Sequence, residues 1–217
     1  MLFALVAITA WVLSLPAIAT SQEIHLESGT GTQFGGNANS TTALKASGEP
    51  TITCGTYFVE GELTSETTAK LGFDLYECHI TILGVTQHCH SSGSPLINTI
   101  GSINVAHLIT TSSGAPGILV TPPFPTVICG TGLAERKIQI TGSGLIGTVT
   151  SPGCNTSNGS LTLSFKTNGS GGQEHVSYTG NTYDLLLATE GGSDVTAGLE
   201  GEFTLSLVGK SLKLICT

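Results

Sequence analysis

The chain has 217 residues, with 7 Lys and Arg against 15 Asp and Glu, a net charge of −8, and only 10% charged residues, where about 25% is usual. So few cations cannot build a phosphate-tracking surface, which excludes general nucleic-acid binding, and so few charged residues exclude a coiled coil. An apolar share of 39% with a mean hydropathy of +0.27 argues against a disordered chain and suffices for one β domain.

From the N-terminus, Leu2 to Leu15 is an almost unbroken apolar run, too short to span a bilayer. Pro16 breaks it, and Ala17-Ile18-Ala19 offers the small-x-small pattern of a signal-peptidase site. Residues 1–19 are therefore expected to be a signal peptide, with Thr20 as the new N-terminus and no membrane span left after cleavage. Residues 20–50 are rich in Gly, Ser, Thr and Asn. Ile24 and Leu26 alternate there, predicting a short strand followed by a flexible segment.

From Thr51 to the end the pattern is that of one β domain, 51–217. Ile103, Val105, His107 and Ile109 alternate with Ser102, Asn104, Ala106 and Leu108. Ile138 and Ile140 alternate with Lys137, Gln139 and Thr141, and Leu161, Leu163 and Phe165 with Thr162 and Ser164. Leu199, Phe203, Leu205 and Leu207 share one parity, with Glu200, Glu202, Thr204 and Ser206 on the other. Period 2 with Thr on the outer face is the mark of a half-buried strand. Turn signals such as Ser92-Gly93, Pro152-Gly153 and Asn158-Gly159 recur between these runs. The expectation is an all-β, antiparallel, disulfide-stapled barrel or barrel-like sandwich of about 10–12 strands, joined as a meander. Gly142, Gly144 and Gly147 interrupt one long run where a barrel would bend. Leu71, Phe73 and Leu75 are odd, whereas Cys78, Ile80 and Ile82 are even. An extra residue near Tyr76-Glu77, a β-bulge, would return both sets to one face, and a true rotation of the strand between two sheets is the alternative.

All six cysteines follow the leader, and an even count behind a signal peptide reads as three disulfides. Folding Cys78–His90 about Leu83-Gly84 sets Ile82 against Val85, His79 against His88 and Cys78 against Cys89. A Cys78–Cys89 bridge follows from that hairpin. Cys129–Cys154 is expected next, across an intervening strand pair. Cys54–Cys216 is expected to pin the first patterned strand to the last.

The same hairpin puts His79, His88 and His90 on one face, an arrangement that can hold Zn²⁺ with an open position for water. That face also carries Glu77, Thr81 and Thr86, which favours a solvated face instead. His107 reads as a core or lumen histidine. Gly142-Ser143-Gly144-Leu145-Ile146-Gly147 matches a dinucleotide fingerprint, but Thr148-Val149-Thr150 continues as strand where a helix is required. The carboxylate pairs Glu60/Glu62 and Glu200/Glu202 could serve glycoside hydrolysis. The mature chain is nevertheless poor in aromatic platforms, and a solvated acidic face fits better. Glu190, Asp194, Glu200 and Glu202 match no Ca²⁺ loop.

Leu75-Tyr76-Glu77-Cys78-His79-Ile80-Thr81, Cys89-His90-Ser91 and Asn98-Thr99-Ile100 together resemble a group of small secreted proteins of actinobacteria, most strongly from Cys54 to about Cys154. The resemblance implies secretion and a cysteine framework, and carries over no catalytic residue. The function expected is that of a secreted or cell-surface, non-enzymatic binding or structural module without a cofactor. Its partner would be a small apolar ligand in a barrel lumen, or a cell-surface component. The alternative is a secreted metal-assisted hydrolase using His79, His88 and His90.

Overall fold

The computed structural model describes residues 24–27, 33–38, 41–98, 104–111, 114–178, 181–189, 192–208 and 211–216. The expected leader, 1–19, lies outside them, as do Ile103 and Glu190. The described chain is an eight-stranded antiparallel closed barrel with outer strands, and its short strands join end to end into eight staves.

In chain order, β1 (Ile24–Glu27) lies outside the barrel. The first stave is β2 (Gln33–Ala38) and β3 (Thr42–Ala46). The second is β4 (Ile52–Cys54) and β5 (Thr56–Leu63), the third β6 (Thr68–Tyr76) and β7 (His79–Ile82). The fourth runs from β8 (Val85–Ser91), past the short β9 (Ile97–Asn98), to β10 (Asn104–Thr110). The fifth is β11 (Pro116–Val120) and β12 (Thr126–Cys129), the sixth β13 (Arg136–Gly142) and β14 (Leu145–Ser151). After the outer β15 (Ser157–Asn158), the seventh runs from β16 (Ser160–Phe165) to β19 (Leu185–Thr189). Between those two, β17 (Ser177–Tyr178) and β18 (Asn181–Thr182) pair with each other on the outside. The eighth stave is the single strand β20 (Val195–Leu207), and β21 (Leu212–Cys216) joins β1 and β15 in a flanking sheet.

Each stave has a lower and an upper segment. The lower segments close into one ring, β2–β5–β6–β10–β11–β14–β16–β20 and back to β2. The upper segments close into another, β3–β4–β7–β8–β12–β13–β19–β20 and back to β3. The cyclic order is the same in both, and successive staves alternate in direction. This is the expected meander, and closure decides for a barrel over a sandwich. Full closure leaves no unpaired sheet edge.

The described residues 33–38 and 41–46 of the segment expected to be flexible are mostly strand. Gln33–Ala38 and Thr42–Ala46 form the first stave, so the domain begins before residue 51. Glycine here signals close packing rather than mobility: a Cβ on Gly36 would collide with the Thr204 carbonyl of β20. The parity change at Glu77 is present, but no extra residue absorbs it. Thr56 pairs with Tyr76 and Thr53 with His79, so Cys54-Gly55 faces Glu77-Cys78 residue for residue. Both staves turn over together, and Glu77 sits in the left-handed region at φ 53°.

The disulfides are Cys54–Cys78, Cys89–Cys129 and Cys154–Cys216, and none of the three expected pairings forms. The hairpin is as expected, since His79 pairs with His88 and Cys89 N–H donates to Cys78 O. The order β4–β7–β8–β12 extends that facing pair into a row of four buried cysteines. Joining the central two would strand Cys54 and Cys129 three strands apart, about 14 Å at ~4.8 Å per strand and beyond bridging range. Pairing outward leaves no orphan. Cys129 faces the upper lumen, whereas Cys154 is exposed beyond β14, which separates the second expected pair. Cys216 is held by the flanking sheet, and the barrel closes through backbone ladders from β20 to β2 and β3 instead of through a bridge.

Gly36→Ala is expected to cost about 3 kcal/mol in urea unfolding, as an overpacked contact against rigid backbone. Gly169→Ala, where a Cβ meets nothing within 4 Å, should change stability by less than about 0.5 kcal/mol.

Candidate functional site

Alternation aims one side chain in two at the lumen, and three staves read the same sequence of levels along it. On β20, Leu205 and Leu207 line a lower cavity, Phe203 lies at the waist and Leu199 lines an upper cavity. On β6, Leu71 belongs to the lower cavity, and Phe73 spans the waist and the upper one. On the second stave, Leu63 is lower, Tyr57 is at the waist, and Cys54 and Ile52 are upper.

The waist is an aromatic cluster around Phe203, which is fully buried. Its ring centroid lies 4.4 Å from Tyr57, 5.5 Å from Phe73 and 5.5 Å from Phe165, the last two edge-on. Such contacts contribute about 0.5–1.5 kcal/mol each beyond burial. The Tyr57 hydroxyl donates to Glu202 O at 2.6 Å, so the one polar tip in the cluster is satisfied.

The lower cavity measures about 30 Å³. The upper cavity measures about 70 Å³, and among the described residues no charged side chain lines it. Its walls are hydrocarbon from Leu44, Ile52, Val120, Ile140 and Leu185, with Cys54 on one side. Phe124 and Pro125, in the connector between β11 and β12, are part-exposed, as are Leu75 and Ile140. Two polar side chains also border the cavity, with their oxygens covered rather than open to it. Thr42 and Asn104 are each 1% exposed. Among the described residues, neither Thr42 Oγ1 nor Asn104 Oδ1 has a hydrogen-bond partner. A buried polar atom left unpaired costs about 1–3 kcal/mol, so a filled core would not ordinarily keep both.

Asn104 was not legible as a lumen residue. The sequence pattern put Val105, His107 and Ile109 on the inner face, but Asn104, Ala106 and Leu108 are the lumen residues. Val105 is 40% exposed, and His107 is half-buried on the outer wall. Ile109 misled the pattern because it is buried on the outside. With Leu119 and Ile146 it forms a second cluster under Tyr178 and Tyr183 of the β17–β18 strap. Gln173 ties that strap down by accepting from Ile146 N–H and donating to the carbonyls of Gly144 and Tyr183.

The other candidate residues lie on the outer wall. His79 and His88 face each other across the β7–β8 hairpin, and the His90 ring bonds Ser91 O at 2.8 Å. Among the described residues, no three His, Cys, Asp or Glu side chains come together to hold an ion. The Gly142-to-Gly147 stretch is the β13–β14 bend, clamped where Ser143 donates from N and Oγ to Asp184 Oδ1. Those bonds hold the Asp184 carboxyl below its ordinary range. Glu200 ion-pairs with Lys45 and accepts from Thr167 at 2.7 Å, which lowers its pKa. Glu60 neighbours Asp74, which is 8% exposed with Oδ1 unpartnered. Burial first, and the Glu60 charge second, push the Asp74 carboxyl above its ordinary 3.8.

Two stability effects follow. Thr42→Val is expected to raise the unfolding free energy by about 1 kcal/mol, because it removes an unpaired hydroxyl without changing shape. Asp74 binds its proton more tightly in the native state than in the unfolded chain. Its ionised form therefore costs stability at neutral pH, and the cost fades as pH falls through the raised pKa towards 3.8. Asp74→Asn should raise the urea midpoint at neutral pH and leave it unchanged at about pH 3.

No protein-family model, no curated protein and no solved structure matches this chain.

Proposed function

We propose that this chain is a secreted, non-enzymatic binding module that takes a small apolar group into the upper lumen of its barrel. The observation that carries this reading is the upper cavity of about 70 Å³. Protein interiors are close-packed, with few voids larger than a water molecule. This one exceeds the roughly 30 Å³ of a water and is about half the ~150 Å³ of an engineered cavity that admits benzene. Its size suits a group of a few heavy atoms, entering past Phe124 and Pro125. Apart from the Phe124-Pro125 connector, the wall is held largely by strand ladders, so the site is pre-formed, as small-molecule sites usually are. Three disulfides are compatible with an oxidising compartment and support secretion. Zinc analysis of the purified protein addresses the histidine alternative: stoichiometric zinc lost on His88→Ala would favour a metal-assisted hydrolase.

Xenon is the probe for the cavity itself, since it enters dry apolar voids. Saturable xenon-induced shifts are expected at the methyl groups of Leu44, Ile52 and Val120 in two-dimensional NMR. Val120→Phe, which fills the space, should abolish them at Leu44 and Ile52. Wild-type methyl resonances that do not respond to xenon would overturn the proposal.

A further inference from the structure

The sequence contains the tripeptide Asn-Gly-Ser twice, at Asn158-Gly159-Ser160 and at Asn168-Gly169-Ser170. Both asparagines are exposed, but the fold holds their side chains differently. Asn168 reaches forward past Gly169: its Oδ1 accepts from Ser170 N–H at 2.9 Å and from Gly172 N–H at 3.1 Å. Asn158, the last residue of β15, curls back on its own neighbour. Its Oδ1 accepts from Gly159 N–H at 2.7 Å, and its Nδ2 donates to Ser151 Oγ at 3.1 Å. We infer that Asn158 is a site of spontaneous covalent modification, at which the Gly159 backbone nitrogen displaces ammonia from the Asn158 side chain, and that the fold protects Asn168 from the same reaction.

The reaction needs only water. Gly159 N loses its proton to solvent and bonds to Asn158 Cγ. The Cγ–Nδ2 bond breaks, and the nitrogen takes a proton from solvent and leaves as ammonia. The product is a succinimide ring of Gly159 N with the C, Cα, Cβ and Cγ of Asn158. Water then opens the ring at Cγ to give aspartate, or at the main-chain carbon to give isoaspartate. Holding two reacting groups together removes much of the barrier to their joining. The 2.7 Å contact to Oδ1, the atom bonded to Cγ, brings the nitrogen and the side chain of Asn158 together in advance. A Cβ on Gly159 would meet nothing within 4 Å, so the nitrogen is not walled off from solvent. Ring closure swings Oδ1, and Asn168 must give up both of its Oδ1 bonds to react. The bond at Asn158 Oδ1 comes from the very N–H that the reaction consumes. Asn158 pairs with Leu212 of β21, so the isoaspartyl form places an extra main-chain carbon in the flanking sheet and leaves both barrel rings as they are.

The test ages the full disulfide-bonded chain at neutral and mildly alkaline pH and follows both asparagines by proteolysis and mass spectrometry, which reads the exchange of NH for O. Asn158 is expected to deamidate about tenfold faster than Asn168, the equivalent of one net hydrogen bond in the barrier. Its rate should rise with pH, because the attacking nitrogen is the deprotonated one, and isoaspartate should appear beside aspartate. In the reduced, denatured chain the two sites have the same Asn-Gly-Ser sequence and no fold, so the difference should vanish. Gly159→Ala crowds the nucleophile without a clash in the fold, and is expected to slow Asn158 about tenfold while Asn168 keeps its rate. Equal rates at the two sites in the folded chain would overturn the inference. So would a difference that persists undiminished after denaturation, aspartate as the sole product, or a Gly159→Ala chain that deamidates as fast as the wild type. The comparison of folded with denatured wild type decides without any variant.

Discussion

Closure through one strand governs this molecule. β20 is thirteen residues long and, among the described residues, is the only stave whose lower and upper segments form one uninterrupted strand. It pairs with β16 and β2 below, and with β19 and β3 above. Its odd residues supply the lumen at every level: Ala197 and Leu199, then Phe203, then Leu205 and Leu207, all buried. The even residues face out, where Glu200 meets Lys45 and Thr167. Without this strand both rings would present open edges, and the lumen would be a solvated trough. The aromatic waist, the two cavities and the orphan oxygens all presuppose it.

Closure also explains what the cysteines do. A barrel sealed by backbone ladders has no need of a covalent lock at its seam, and none is found there. Two bridges join adjacent staves inside the upper ring, where the second and third staves turn over together and where β8 meets β12. The third fastens the C-terminal β21 to the end of the sixth stave, outside the ring. The Cys54–Cys78 bridge lies against the upper cavity, so one wall of the candidate site is cross-linked.

Much of this architecture was legible in the sequence. Alternation placed the inner faces of β13, β16 and β20, and the two-residue turn at Leu83-Gly84 placed the β7–β8 hairpin in register. Legibility ended wherever a residue was chosen by something other than its own strand. Gly35 and Gly36 read as a flexible segment because the carbonyl that excludes a side chain at Gly36 is over 160 residues away. β10 read inside out because both its faces are apolar, one covered by the lumen and the other by a strap inserted between β16 and β19. The cysteine pairing was undecidable because each central cysteine has two neighbours, and only the full row shows which partner leaves no residue stranded. The candidate site suffered from the same cause: Asn104 opens the one strand whose parity could not be read.

The seam between the first and last staves has a temporal consequence. Phe34 of β2 pairs with Leu207 of β20, so most of the domain must be available before either ring can close. Contacts this distant in sequence make folding slow, because the loop-closure entropy is lost before they form. The Cys54–Cys78 and Cys89–Cys129 bridges span only 24 and 40 residues, and their strands are all present once Cys129 has emerged. In a chain released N-terminus first into an oxidising compartment, half of the upper ring can be cross-linked while β20 is still to come. The open intermediate would wait with its lumen face exposed, and the bridges would shorten that wait by holding four strands in register for the last one to join.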